Sequence, residues 1–241
     1  MQTRGIFISE FERQEFLTER WDYRAGDHVT FAAPTDYGKT TLANELLEHT
    51  ISPQLPAYLM EGKKTDKVMS EFIARLDLRL VTDWPPPLTQ RWRFWEKPLG
   101  WVVWPPHTGN EDIDDPRHAA TFKRLLRWCH NKGRLIIVAD EFGEMKELGL
   151  DKTTRAIHRR GRSHGVGLWG GVQGPTHAET HAYSQAAHLF LGNTPDKRHR
   201  ERFGEIGGFD PRLIEDTVLQ LPDHWWLYLR RRGRVMCIVR A

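Results

Sequence analysis

The chain has 241 residues, 39% hydrophobic and 28% charged, with 35 Lys and Arg against 32 Asp and Glu and a formal net charge of +3. That length and apolar content suit one soluble α/β domain with a real core. The longest apolar runs, such as 135–139, are about five residues against the roughly 20 a membrane helix needs, which excludes a bilayer-spanning helix. Two cysteines, Cys129 and Cys237, exclude a disulfide framework and sit in apolar-periodic segments as buried thiols. Residues 1–8 lack the apolar stretch and small-residue cleavage site of a secretory signal, so the expected location is the cytoplasm.

In chain order, the pattern predicts strands and helices in alternation, which implies a mostly parallel sheet covered on both faces. A buried strand at 29–32 precedes Ala33-Pro34-Thr35-Asp36-Tyr37-Gly38-Lys39-Thr40, and a helix follows from Thr41 with apolar residues at helical spacing. A second strand is expected at 57–61, then a helix over 66–76 with Val68, Phe72, Ile73 and Leu76 on one side, then a strand at 78–82. Residues 84–106 break the pattern with repeated prolines and Trp84, Trp92, Trp95, Trp101 and Trp104. They read as an insertion holding one strand at 100–104, with the aromatics packed together or against a partner protein. A helix over 117–130 ending at Gly133 restores the order. Strands at 135–139, 166–172 and 187–191, a helix at 153–163, and a terminal hairpin of 225–229 and 235–239 around Gly233 complete the chain.

Three motifs carry chemistry. The first is one residue away from the phosphate-cradling pattern G-x-x-x-x-G-K-[ST], with Ala33 in place of the first glycine. Such a loop aims backbone N–H groups and a helix N-terminus at a polyphosphate. Gly38 allows close backbone approach, Lys39 places a charge on the outer phosphates, and the Thr40 hydroxyl completes the shell of a Mg²⁺. Ala33 to Thr41 are the candidate nucleotide-binding residues. The second motif is the strand end Asp140-Glu141, where Asp140 is assigned to the metal and Glu141 to the base that activates water. The third runs from Arg155, Arg159 and Arg162, spaced along one helical stripe, through a Gly-rich strand to Gln173, a γ-phosphate sensor candidate. Taken alone, the stripe reads first as a solvated helix face and Gln173 first as a capping hydrogen bonder. Lys197 to Arg200 and Arg230 to Arg234 form further basic clusters. No zinc-type Cys/His spacing occurs, and no structural metal is expected.

Together these residues resemble the FtsK/HerA superfamily of ring-forming DNA-pumping ATPases over about residues 29–195. The size is most similar to the small genome-packaging ATPases of icosahedral viruses. The resemblance implies a P-loop NTPase (RecA-like) fold, ATP and Mg²⁺ as cofactors, and a homohexameric ring around double-stranded DNA. It gives Arg162 a role on the nucleotide across a subunit boundary, for which Arg198 and Arg200 are equal alternatives, and Gln173 a role in sensing it. Capsid or membrane-vertex proteins become partners, and the location becomes the host cytoplasm or the virion. Two other readings stand beside it: a nucleotide-dependent adaptor acting through the Trp/Pro-rich surface, and a small-molecule phosphotransferase, for which Glu141 would be dispensable.

Overall fold

The computed structural model describes residues 2–3, 6–87, 97–174 and 180–241. It opens with β1 (Gln2–Thr3), β2 (Ile6–Phe7), β3 (Glu10–Phe11) and α1 (Arg13–Glu15), which continues as a π-helical turn over Phe16–Arg20. Next come β4 (Val29–Ala32), α2 (Lys39–Glu48), β5 (Ala57–Met60), α3 (Lys67–Leu76), β6 (Arg79–Val81), β7 (Gly100–Val103) and α4 (Glu111–Lys132). Then follow β8 (Leu135–Glu141), α5 (Phe142–Glu147), α6 (Asp151–Arg160), a 3₁₀ turn at Gly161–His164, β9 (Val166–Val172) and α7 (Thr180–Ser184). The chain ends with β10 (His188–Gly192), α8 (Lys197–Gly207), α9 (Pro211–Leu219) and the hairpin β11 (Trp226–Arg230) and β12 (Val235–Val239). The fold is the expected mixed α/β one, with mostly parallel strands and flanking helices in each of two compact units.

Residues 1–23, 28–49 and 170–241 form one compact unit. Its strands run in the order β3-β12-β11-β10-β4, with β10 parallel to β4 and the hairpin antiparallel. Every residue of β4 and β10 is buried, which is why both read as continuous apolar runs rather than alternating ones. Phe16 packs edge-on against Tyr228 at 4.8 Å and Phe31 stacks on Phe190 at 5.3 Å. Buried His188 is satisfied by the Tyr228 hydroxyl, 2.8 Å from its Nδ1.

Residues 24–27 and 50–169 form the second unit, with β8-β5-β7-β6 all parallel. Here the insertion expected at 84–106 is corrected in part. β7 lies between β5 and β6, and buried Trp84 packs against Trp128 at 4.9 Å and Tyr58 at 5.5 Å. Proline density disguised a stretch that enters the sheet of this unit, while Trp92 and Trp95 lie outside the described residues. The face of α3 is also rotated from expectation: Met69 and Phe72 are buried, whereas Val68 is 42% exposed. Asp66 caps this helix by accepting the Met69 N–H at 2.8 Å. α4 starts six residues before 117 because Asn110 caps the Asp112 N–H at 3.0 Å, and Pro116 is carried inside the helix. Cys129 and Cys237 are buried free thiols.

Candidate functional site

In the first unit, the end of β4 turns into the phosphate-type loop. The Ala33 N–H donates to Val172 O at 3.1 Å, so Gln173, exposed and next in sequence, stands beside the start of the loop. Ala33 replaces a glycine at a crowded turn, and the crowding is relieved opposite it: a Cβ on Gly192 would fall 2.7 Å from the Ala33 methyl. Pro34 is half-buried, Thr35 and Asp36 are exposed, and Tyr37 is buried. Gly38 adopts φ +86° as the N-cap of α2, a backbone state that favours glycine. No side chain caps that helix start, so its first backbone N–H groups and dipole end remain suited to an anion. The Lys39 ammonium folds back on the loop, donating to Ala33 O at 2.9 Å and Pro34 O at 2.7 Å. Thr40 is half-buried at the second position of the helix, and Thr41 is exposed.

In the second unit, β8 ends on half-buried Asp140 and Glu141. Sequence reasoning missed what surrounds them. The Lys63 ammonium is 2.5 Å from Asp140 Oδ2 and 3.0 Å from Asp66 Oδ2. Burial acts to lower the pKa of Lys63, but its ion pairs with Asp140 and Asp66 outweigh burial and hold it above the ordinary lysine value. Glu61, fully buried, accepts the Lys63 N–H on Oε1 at 2.8 Å while its Oε2 has no partner. Burial pushes its carboxyl up to about 7. Glu144 is raised to about 7 as well, by burial first and then by the charge of Asp140. Its carboxylate occupies the space over Gly62, where a Cβ would fall 1.7 Å from Oε1. The only advance signal was Glu61 directly after a buried strand.

Arg162 is not brought to these acids. The Leu135 N–H bonds Gly165 O at 3.2 Å and the Arg134 N–H bonds His164 O at 2.8 Å, so the 3₁₀ turn carrying Arg162 borders the start of β8. Arg162 lies 3.7 Å from buried Asp27. Of the other basic residues, Arg155 pairs with Asp151 at 3.2 Å. Arg230 pairs with Asp22 at 2.6 Å, and Arg231 donates to Ser184 O and Ile206 O, so these two tie the hairpin to the rest of the first unit.

The donor set around Lys39 and Gly38 matches a polyphosphate, and the oxygen-rich tip of β8 matches a hard divalent cation. Among the described residues no group of three or more His, Cys, Asp or Glu is placed to hold a metal, so such an ion would need phosphate or water oxygens to complete its shell. No helix among the described residues is long and apolar enough to cross a membrane.

No protein-family model matches the sequence, and no curated protein matches it. Solved structures do. The genome packaging NTPase B204 from Sulfolobus turreted icosahedral virus 2, in complex with sulfate, superposes with a TM-score of 0.60 at 13% identity, covering 90% of this chain and 98% of that one. The pCW3 conjugation coupling protein TcpA, with ATPγS, gives 0.56 at 14% identity over 88% of this chain and 59% of its own. EssC (ATPases 2 and 3) from Geobacillus thermodenitrificans gives 0.51 at 10% identity over 91% of this chain and 40% of that one. The chain thus shares the fold of these solved NTPase and ATPase structures, the mixed α/β class that the sequence led us to expect.

Proposed function

We propose that this chain is a Mg²⁺-dependent ATPase, acting as one P-loop domain over 1–241, that translocates double-stranded DNA as a ring of identical subunits. The genome is viral and its destination a preformed capsid, with the motor in the host cytoplasm or on the virion. One observation carries the reading: an uncapped helix start behind a left-handed Gly38, with the Lys39 ammonium held over the loop it would serve. The likeness to a genome packaging NTPase solved with AMPPCP and with ATPγS supports it.

In this reading the N–H groups of the 33–40 loop and the Lys39 ammonium hold the β- and γ-phosphates, while Thr40 and Asp140 would hold Mg²⁺. The metal would supply charge neutralisation on the phosphate oxygens. Glu141 takes the proton of the attacking water, Gln173 senses the γ-phosphate beside the loop, and Arg162 serves a neighbouring subunit. The test is ATP turnover with and without duplex DNA. Wild type should be stimulated by DNA, Lys39→Ala should lose nucleotide binding, and Glu141→Gln should bind ATP while turning over at least about 100-fold more slowly. Absence of ATP uptake by wild type in calorimetry with Mg²⁺ would overturn the reading.

A further inference from the structure

Tyr37 occupies a position where the phosphate-loop pattern asks for no particular residue, yet its side chain is held on several sides. Its hydroxyl lies 2.7 Å from Trp225 O and 3.1 Å from Pro222 O, and it accepts the Asn193 N–H at 3.0 Å. One hydroxyl proton is shared between the two carbonyls while the amide fills a lone pair. The ring meets Trp226 edge-on at 5.0 Å. Burial pushes the phenol up to about 12, so it remains a donor at neutral pH.

The turn at 222–225 is fastened from its other side too. Arg13 donates through Nη2 to His224 O at 3.2 Å and through Nη1 to Glu45 of α2 at 2.9 Å. His224 adopts φ +64°, a left-handed state uncommon for residues other than glycine. That backbone presents its ring to the loop, with Nδ1 3.2 Å from Tyr37 O and 3.6 Å from where a Cβ on Gly38 would stand. A carbonyl only accepts, so Nδ1 carries the hydrogen.

The consequence follows from peptide geometry. The unit joining Tyr37 and Gly38 is planar and trans, so its C=O and N–H point in opposite directions. Holding the carbonyl toward His224 turns the Gly38 N–H away from it. A loop that binds phosphate through backbone N–H groups works only if those groups are aimed before the ligand arrives.

We infer that Tyr37 and His224 are positioning residues for the nucleotide, through which the turn at 222–225 fixes the direction of the loop's backbone donors. The inference rests on the nucleotide-binding reading above. Calorimetric titration with ATP, alongside thermal unfolding, tests it in Tyr37→Phe, His224→Gly and His224→Asn. Each lost hydrogen bond should weaken ATP about five- to tenfold in Tyr37→Phe and His224→Gly. His224→Asn keeps an N–H donor and tolerates positive φ, so it should return to within about twofold of wild type. His224→Gly should melt within a few degrees of wild type, because glycine relieves the left-handed backbone. A merely structural turn would instead lower the melting temperature and leave the folded protein's affinity intact. Wild-type affinity in both Tyr37→Phe and His224→Gly would overturn the inference alone, as would an Asn variant no better than Gly for His224. Failure of wild type to bind ATP would remove the reading and the inference together.

Discussion

Lys63 is the cation at the tip of β8. It bonds Asp140 and Asp66 directly, with Glu61 bonded to its backbone N–H and Glu144 over Gly62. Without it, four carboxylates would face one another with less compensation. Because its side chain is 47% exposed, the Lys63–Asp140 pair should contribute only about 1 kcal/mol. Urea unfolding at pH 8 without divalent ions should therefore show Lys63→Met destabilised by about that amount. Asp140→Asn should cost less in the Met background than in wild type, because the partner is already gone. Equal costs in both backgrounds would mean that the pair adds nothing. Lys63 also shows the limit of reading single residues. Ala33 to Thr40 was legible because its chemistry is local, each residue acting within one turn of chain. Lys63, Glu61 and the ties of Tyr37 depend on partners far along the sequence, and no spacing rule points to them.

At the scale of elements, the strands from β4 onward were legible, and of the helix starts that of α3 was legible and that of α4 was not. β4, β9 and β12 lie where apolar, β-branched residues placed them, since a strand buried on both faces announces itself as an unbroken run. α4 was read too short because Pro116 resembles a boundary, whereas the cap is Asn110. The same helix end holds a titratable pair with a testable consequence. Asp114 is held below the ordinary carboxylate value, chiefly by the Thr108 N–H, so its contribution is present above about pH 4 and lost as acid protonates it. His118 is lowered, first by burial and then by His107, 4.6 Å away between ring centres. The unfolded chain then takes up a proton near pH 6.5 that the folded chain resists, so this contribution falls as pH drops below that value. Glu61 and Glu144, raised to about 7, act in the opposite direction over about pH 7 to 4.5, so the difference between variants is the useful readout. Unfolding free energy followed from pH 7 to 5 should fall less steeply in His118→Leu than in wild type, by at most about 1.4 kcal/mol per pH unit. Parallel curves would show that His118 titrates alike in both states.

At the scale of the molecule, the second unit has two chemically opposite ends. Asp140 and Glu141 close β8, while Arg134, Arg162 and His164 border its start. Five residue-to-residue steps of strand, from Leu135 to Asp140, separate those ends by about 16 Å. If Arg162 acts on a nucleotide held near the acids, it must therefore act on a neighbour's. A head-to-tail ring supplies that geometry, because a heterologous interface brings one edge of each subunit to a different edge of the next. The resemblance named the arginine, and the length of β8 is the reason that a role for it at the acids would have to be played from a neighbour. Complementation between two inactive proteins tests this directly. Arg162→Ala and Lys39→Ala should each lose turnover alone, the former by about 1,000-fold. Mixed in equal amounts and allowed to reassemble, they should recover about a quarter of wild-type turnover, since half the sites keep an intact loop and half of those gain an intact arginine from the neighbour. The mass of the assembly in solution confirms that the two exchange. Mixed rings with no recovered turnover would mean that Arg162 does not act across the boundary, and the basic edge would then need another role.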